Sequence, residues 1–290
     1  MSTATLQDPA KLVTDAIGKV SAIATLPEVT AQIIKTVEDP RSSAAQLHKI
    51  ISHDPALVTR ILKVVNSSFY GLPGQIASIE RAIVLLGLNA VKNIAVAASL
   101  GQLFRSVKLC EGYTAKDLWT HCIAVGVTAR ELARQTKMPI ADEAFLAGMI
   151  HDLGILVALQ STPEQMGNIC ATAMSSGGNF CEIERQSLGF DHQQLGAALA
   201  AHWKFPRSCQ LVAGHHHDPG SLGEDVRTLV TLVYVADTIC CQEKRGFPLT
   251  AAGQSLDSVN VEALGLNNSI IERVKQSLPE LIESASASLG

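Results

Sequence analysis

Histidines and aspartates recur along the middle of this chain, inside segments that are otherwise apolar. Seven of the nine histidines fall within residues 121–217. Imidazole and carboxylate groups together suit divalent metals such as iron, manganese or zinc, and they are costly in an apolar core. The pattern therefore predicts a site for divalent metal ions. Its candidate ligands are His121, His151, Asp152, His192, His216, His217 and Asp237, with Asp117 as an additional candidate.

The acid Asp237 and the pair His151-Asp152 carry most of this prediction. Asp237 lies in TLVTLVYVADTICC, which is apolar on nearly every side and contains no arginine. Its carboxylate is expected to be buried, at a cost of several kcal/mol unless a metal or a cationic partner compensates it. His151 and Asp152 are adjacent ionisable residues in the equally apolar segment EAFLAGMIHDLGILVAL. Ligation would offset the cost of burying both, and Gly148 and Gly154 on the same face would leave space for another helix or an ion.

Asp117 has two interpretations. It lies one helical turn before His121, so both side chains could reach the same ion. It also follows Thr114 by three residues, the position of the acid in a capping box. The capping interpretation is preferred.

The remaining histidines lie at predicted helix ends. His192 opens a helix capped by Asp191 and points toward the buried side. The run His215-His216-His217 lies at a break between helices, where successive side chains diverge and can reach two ions or solvent. His202 continues an apolar face and is interpreted as an ordinary core histidine. His53 is excluded as a ligand, because the adjacent Asp54 has a capping role before Pro55.

The elements that must position these residues are helices. Apolar residues recur at helical spacing almost everywhere, strand signals are scarce and two-residue hairpin turns are not evident, so the predicted fold class is all-α. Three pairs have the spacing of helix-capping residues, and they are Ser43 with Gln46, Thr114 with Asp117, and Asp191 with Gln194.

Helix lengths divide the chain into two packed helical lobes. Helices are short before residue 110 and longer after it, so the predicted lobes are residues 1–110 and 111–290, with the boundary near Val107–Thr114. The second lobe carries the candidate metal site. Residues 260–290 are expected to form a closing pair of helices.

The composition of the chain limits the kinds of partner that the protein is expected to bind. Hydrophobic residues make up 47% of the chain and charged residues 17%, which is ample for a large core. The formal net charge is -4 and no basic block is present, so direct nucleic-acid binding is not expected. Seven cysteines without a Cys-x-x-Cys pair are interpreted as buried free thiols. The first residues lack a leader pattern and no uninterrupted apolar run approaches a membrane span, so the expectation is a soluble cytoplasmic protein without membrane contact.

Longer segments of the sequence resemble a known protein family. Six segments of the chain resemble the HDOD family of bacterial signalling output domains. They are, in order, DPALVTRILKVVNSSFYG, IASIERAIVLLGLNAVKNI, LWTHCIAVG, AGMIHDLGIL, DHQQLGAALAAHW and HHHDP. The resemblance runs from roughly Leu26 to Ala236. It implies a regulatory module that acts by binding signalling proteins.

The order of the candidate ligands along the chain resembles that of a second, related group of proteins. His121, His151-Asp152 and Asp237 resemble the HD superfamily of metal-dependent phosphohydrolases, and His192, His216 and His217 extend the likeness to its HD-GYP branch, which hydrolyses cyclic dinucleotides. This resemblance implies that Asp152 bridges two metals and is the candidate catalytic residue. It places His121, His151 and Asp237 on one ion and the other three histidines on the second. Asp117 occupies the position at which some members of that branch have an additional glutamate ligand.

Two departures from the active enzymes favour regulation. Ile155 follows HDLG where they usually carry lysine, and no Gly-Tyr-Pro signature follows His217. The preferred hypothesis is an HDOD regulatory module that retains an HD-type metal site. The alternative is a metal-dependent phosphohydrolase or phosphodiesterase acting on a nucleotide or another phosphoester, and the full set of candidate ligands favours it.

Overall fold

Short capped helices build the first part of the chain. The computed structural model describes residues 8–20, 26–37, 39, 41–104 and 108–289. The α-helices described before residue 105 are α1 (Pro9–Lys19), α2 (Glu28–Val37), α3 (Ala44–Ile51), α4 (Pro55–Val65), α5 (Ile79–Leu86) and α6 (Leu88–Leu100). A turn of 3-10 helix, Gly101–Phe104, follows α6.

The helix starts that were expected in this part are present. Ser43 and Gln46 form a capping box at α3, and the Asp54 carboxylate accepts a hydrogen bond from the Leu57 backbone N–H at 2.9 Å at the start of α4. The interpretation of Asp54 as a cap is therefore confirmed. The ring of exposed His53 bonds the Lys49 carbonyl at 2.6 Å, and His53 belongs to none of the possible metal-ligand groups among the described residues.

A small hairpin lies where the lobe boundary was predicted. Strands β1 (Lys108–Cys110) and β2 (Tyr113–Thr114) pair antiparallel, with Lys108 opposite Thr114. This corrects the expectation that two-residue hairpin turns are absent: Gly112 takes a φ of +83°, which a glycine adopts without strain. The start of the predicted boundary, Val107, lies outside the described residues. The division into two lobes stays a prediction.

The second part of the chain contains longer helices. They are α7 (Ala115–Gln135), α8 (Ala141–Ile150), α9 (Leu153–Ser161), α10 (Pro163–Ser176), α11 (Phe180–Leu188), α12 (His192–His202), α13 (Arg207–His215), α14 (Glu224–Gln242) and α15 (Asn268–Leu289). Three single turns of 3-10 helix, Pro219–Ser221, Leu256–Ser258 and Glu262–Leu264, lie in the connections. With one two-stranded sheet among the described residues, the all-α fold class is confirmed.

The C-terminal segment differs from its predicted form. Between residues 260 and 289 a single 3-10 turn precedes the one long helix α15, so the expected pair of helices is wrong. Pro279 lies inside α15 without ending it. The buried face of α15, which includes Ile271, Val274 and Leu278, packs against α4 and α7. Burial of this continuous apolar stripe outweighs the local cost of the proline.

Helix α7 is the central element of the core. It packs against α8, α14 and α15, and α9 packs against α12. Glycines allow the closest approaches: a Cβ on Gly148 would lie 2.7 Å from the Gly126 Cα, and a Cβ on Gly154 would lie 1.8 Å from the His192 carbonyl oxygen. The small residues around His151 therefore provide clearance for neighbouring helices, one of the two uses that the sequence predicted.

The cysteines and the most membrane-like stretch of the chain are buried in the core. All seven cysteines are buried, as expected. Among the described residues one stretch, Ala141–Ser161, is long and apolar enough to pass for a membrane span, although Asp142, Glu143 and the pair His151-Asp152 interrupt its apolar residues. It covers α8 and α9, and 89% of its most apolar window is buried inside the protein, which is the environment of a core helix.

Candidate metal centre

Five histidines and two aspartates from separate parts of the chain converge on one buried point. His121 comes from α7, His151 and Asp152 lie at the junction of α8 and α9, and Asp237 comes from the middle of α14. His192 is the first residue of α12, and His216 and His217 directly follow α13. All of them except His217 are completely inaccessible to solvent. The structure therefore brings together seven of the eight candidate ligands.

The Asp152 carboxylate lies between two groups of histidines. Its Oδ2 is 3.2 Å from His151 Nε2 and 3.7 Å from His121 Nε2. Its Oδ1 is 3.4 Å from His216 Nε2 and 3.5 Å from His192 Nε2. A carboxylate that directs one oxygen to each of two ligand groups has the arrangement of a bridging ligand.

The two groups divide the remaining side chains in the way the resemblance implied. Asp237 Oδ1 is 3.1 Å from His121 Nε2 and 3.9 Å from His151 Nε2, which completes the first group. In the second group His192 Nε2 is 3.3 Å from His216 Nε2 and 2.9 Å from His217 Nε2. Ligand atoms about 2.1 Å from one ion, at angles of about 90–109°, lie about 3.0–3.4 Å apart. Most of these separations are close to that range.

The ring nitrogens that face away from the centre are held by hydrogen-bond acceptors. His121 Nδ1 bonds the Arg245 carbonyl at 3.1 Å, His151 Nδ1 the Gly148 carbonyl at 2.7 Å, and His216 Nδ1 the Val212 carbonyl at 3.1 Å. A proton on each Nδ1 leaves Nε2 with a free lone pair that faces the centre. This is the tautomer that a histidine needs to ligate a metal through Nε2.

His192 is oriented by a carboxylate. Glu184 on α11 is completely buried, and its Oε2 accepts hydrogen bonds from His192 Nδ1 at 2.6 Å and from the His192 backbone N–H at 3.0 Å. Burial raises the pKa of Glu184. Burial opposes charge on His192 as well, but the Glu184 carboxylate outweighs it and raises the pKa of that imidazole. We interpret the two residues as sharing one proton on the Nδ1 side, which directs Nε2 to the centre.

We expect Glu184→Gln to weaken binding of one metal ion by about tenfold to a hundredfold, the usual effect of losing an outer carboxylate partner of a ligating histidine. The neutral amide matches the shape of the carboxylate but removes its charge from His192. Competition with a zinc-chelating dye measures the affinity. Exposed Glu182→Gln on the same helix is the matched control. Equal affinities in the two variants would contradict the assigned role.

Among the residues that the structure describes, no arginine or lysine forms an ion pair with the carboxylates at the centre. Burial alone would raise the pKa of Asp152 and of Asp237, yet the surrounding imidazoles hold both below the usual range. Burial lowers the pKa of His216 and of His217, which keeps these two rings neutral. Among the described residues the ion-pair partners of Asp152 and Asp237 within 4.0 Å are all histidines.

Unsatisfied buried atoms test whether metal ions fit here. His121 Nε2, His151 Nε2, Asp152 Oδ1 and Asp237 Oδ2 are buried without a hydrogen-bond partner. Such groups normally find a partner, because an unpaired buried polar atom costs about 1–3 kcal/mol. Four of them at a single point, all of types that ligate iron, manganese or zinc, fit divalent ions well.

Asp117 is not brought into either group. Its Oδ2 accepts hydrogen bonds from the backbone N–H and the hydroxyl of Thr114, both at 2.7 Å. The preferred capping interpretation is confirmed, and the structure does not support a ligand role for Asp117. His202 is exposed, so its interpretation as a core histidine is wrong: the apolar face of α12 ends before its last residue. Half-buried His215 bonds the Ser221 hydroxyl at 3.2 Å, outside the centre.

Three residues that support the ligands were not predicted from the sequence. Glu184 had a recognisable signal, since it lies four residues after Phe180 and four before Leu188, as an acid on an otherwise apolar face. Gln193 and Gln254 had none. The Gln193 Oε1 accepts the His217 backbone N–H at 3.0 Å, and the Gln254 amide contacts His217 Nδ1. Both contacts depend on how α12, α13 and the segment after α14 meet.

Comparison with known proteins identifies the family. The HDOD domain profile matches residues 23–219. An uncharacterized protein of Treponema pallidum (strain Nichols) is 26% identical over 230 residues, which are 78% of this chain and 44% of that protein, so the chain spans under half of this relative's length.

Solved structures have the same fold. An HDOD domain protein of unknown function from Geobacter sulfurreducens superposes with a TM-score of 0.75 at 21% identity, covering 94% of this chain and 98% of that one. A candidate signal transduction protein from Marinobacter aquaeolei VT8 superposes with a TM-score of 0.76 at 23% identity, covering 100% of this chain and 68% of that one. A candidate phosphohydrolase from Shewanella amazonensis SB2B superposes with a TM-score of 0.74 at 22% identity, covering 98% of this chain and 100% of that one. Because the family profile covers most of the sequence, and these structures share its fold, the chain belongs to the HDOD domain family.

Proposed function

We propose that this chain is an HDOD signal-transduction module whose HD-type centre binds two divalent metal ions. The observation that carries the proposal is the position of Asp152, with one carboxylate oxygen facing each of two histidine groups. His121, His151 and Asp237 would hold one ion, and His192, His216 and His217 the other. Iron, manganese and zinc all suit this donor set.

The proposed role of the metal centre is to stabilise one conformation of the module. The ligands come from α7, α12, α14, the α8–α9 junction and the residues after α13, so binding would connect most of the second part of the chain. An ion that binds the folded chain and not the unfolded one adds stability in proportion to the logarithm of its concentration over its Kd. We propose that the module transmits its signal by contact with other signalling proteins.

The metal content of the untagged protein, purified without oxygen, tests this proposal. Mass spectrometry of the metals should find about two atoms of iron, manganese or zinc per chain. Removal of these ions with a chelator should lower Tm, and adding them back should restore it. Fewer than one atom per chain after reconstitution would overturn the proposal, because the unsatisfied ligand atoms would then have some other explanation.

A specific observation favours a second candidate function, phosphoester hydrolysis. His217, with 7% of its side chain exposed, is the member of the centre that solvent reaches. It also lines a cavity of about 570 Å³, large enough for a nucleotide-sized molecule. The half-buried Arg227 lines the same cavity, so a guanidinium is available on the approach to the metal centre.

The composition of this cavity limits the substrate. Arg227 is accompanied by the carboxylates of Asp218 and Glu224 and by polar groups such as those of Thr231 and Asn260. No lysine is among its described lining residues, and Ile155, at the position where active relatives usually carry lysine, is completely buried. The cavity therefore suits a polar group with little net negative charge, such as the sugar of a phosphodiester. Bound metal ions would supply acidified water and would offset charge on the phosphoryl oxygens.

We expect Arg227→Gln to lower kcat/KM for bis(p-nitrophenyl) phosphate by about tenfold, the loss of one charged hydrogen bond. Arg207, exposed on α13, gives the matched control Arg207→Gln, with unchanged turnover. Since Arg227 also donates to the Leu222 carbonyl, equal Tm values for the two variants must be shown first. If wild-type protein that holds two metals does not hydrolyse this substrate or a panel of nucleotides, the enzyme candidate is rejected and the regulatory proposal stands.

A further inference from the structure

A second cavity lies away from the metal centre, where the first part of the chain meets α7 and α15. It measures about 560 Å³, and residues of α4, α6, both strands of the hairpin, α7 and α15 line it. None of the candidate metal ligands is among its lining residues. Nothing in the metal-centre proposal uses this cavity.

Its charged lining residues are all cationic. Arg60, Lys108 and Lys116 line it, and no aspartate or glutamate is among its described lining residues. Within the described ranges Lys108 and Lys116 form no ion pair with a carboxylate. Arg60 forms a long ion pair with Asp54, whose Oδ2 is 3.9 Å from Nη2, beyond hydrogen-bond distance. Three cations around one concave surface attract an anion that carries more than one negative charge.

Two lining residues have buried polar atoms that lack partners. Nε and Nη2 of Arg60 and the hydroxyl oxygen of Ser286 are inaccessible to solvent and make no hydrogen bond. Buried guanidinium nitrogens rarely stay without a hydrogen-bond acceptor, because they have lost water without gaining a partner. Each of these atoms can donate a hydrogen bond to an anion oxygen. Arginine in particular binds phosphate through two parallel N–H groups.

The remaining walls of the cavity are largely apolar. Ala98, Phe104, Trp119, Ile123 and Leu289 line them, and the rings of Phe104 and Trp119 are 4.8 Å apart. A simple inorganic ion would leave these walls unused. A cavity of this volume accommodates a small organic molecule, with its apolar body against such walls and its charged group at the cations.

We propose that this second cavity binds an organic phosphate of nucleotide size, with the phosphate at Arg60, Lys108, Lys116 and Ser286 and an aromatic or apolar body against Trp119, Ile123 and Leu289. A phosphate monoester suits three cations better than a monocarboxylate does, because it carries nearly two negative charges at neutral pH. The bound ligand joins α4 and α6 to α7 and α15. Because α7 also carries His121, this site is placed to connect the first part of the chain with the metal centre.

Fluorescence titration of the full-length, metal-loaded protein with trinitrophenyl-AMP tests the proposal. The probe has a phosphate monoester and a large aromatic body, and it quenches the fluorescence of a nearby tryptophan. We expect saturable binding with quenching of Trp119, and at least about tenfold weaker binding by the double variant Arg60→Gln/Lys116→Gln. Arg81→Gln/Lys35→Gln, which removes two exposed cations outside the cavity, should bind like the wild type. Ser286→Ala is a milder variant, useful if the double variant fails to fold.

Four outcomes would overturn the proposal. The first is no binding at about 1 mM probe, which excludes any useful affinity. The second is equal binding by the wild type and the double variant, and the third is loss of binding in Asp152→Asn, which would place the probe at the metal centre. Inorganic phosphate that competes as well as unlabelled AMP would also overturn it, since the apolar walls would then contribute nothing. Retained binding in Asp152→Asn supports the proposal whether or not the metal centre binds two ions.

Discussion

Replacing Asp152 by asparagine is expected to reduce the metal content from about two ions per chain to one or fewer. Each carboxylate oxygen faces a different histidine group, at 3.2 Å from His151 Nε2 and 3.4 Å from His216 Nε2. An asparagine has nearly the same shape, but it offers one neutral oxygen and directs an NH₂ group at the other set of nitrogens. Both the bridging contact and the negative charge are lost. Metal analysis after reconstitution measures the result, and any phosphoester turnover should disappear with the ions.

The control for this experiment is Asp15→Asn, which makes the same chemical change at an exposed position of α1. It should leave both the metal content and Tm unchanged. Circular dichroism should show similar helix content in both variants, because Asp152 lies at a helix junction and caps nothing through its side chain. Two tightly held ions in Asp152→Asn would show that its carboxylate is not the bridge.

Gly154→Ala is expected to destabilise the protein by about 3 kcal/mol or more, at the upper end of overpacking effects, and to disrupt the second metal group. The added Cβ would lie 1.8 Å from the carbonyl oxygen of His192 and 2.8 Å from the Gly196 backbone nitrogen. These are backbone atoms, so no side-chain rotation relieves the contact. Helices α9 and α12 must separate, and the separation moves His192 away from Asp152. For a chain of this size the loss corresponds to a fall in Tm of about 6–12 °C.

Gly167→Ala is the matched control for this substitution. Gly167 lies inside α10, and no atom of another element is within 4 Å of the position of its Cβ. Alanine is the better helix former, so this variant should be neutral or more stable by up to about 1 kcal/mol. Thermal unfolding with and without added metal measures both variants. If Gly154→Ala unfolds at the wild-type temperature, the close packing of α9 on α12 is not as described.

Local features of this chain were predicted well because neighbouring residues determine them. The capping boxes at Ser43, Thr114 and Asp191 involve contacts across three residues, so the spacing of the letters is enough to locate them. The same holds for Asp117, whose capping role was preferred from its distance to Thr114 alone. The hairpin turn at Glu111-Gly112 was missed, since its strands are too short to show an alternating pattern.

Burial at the end of an element was predicted less well. His202 continues an apolar face in the sequence, but it is exposed where α12 ends. The segment 260–290, polar at its loops and amphipathic elsewhere, was expected to form two helices, and its packing on α4 and α7 makes one long helix instead. Periodicity describes which side of a helix is apolar. It does not determine where the neighbouring helices end.

By itself, the sequence determined the all-α class, the HDOD family and the set of residues able to ligate metal, because a histidine or aspartate in an apolar segment is costly wherever the chain places it. Only the tertiary structure decided how those residues divide. The assignment of one Asp152 oxygen to each group depends on α9 meeting α12 at Gly154, a contact between residues 38 positions apart. The role of Glu184 and the cationic cavity around Arg60 were decided in the same way. Their partners come from separate helices, and the distances between helices are set by packing, which no local pattern of residues records.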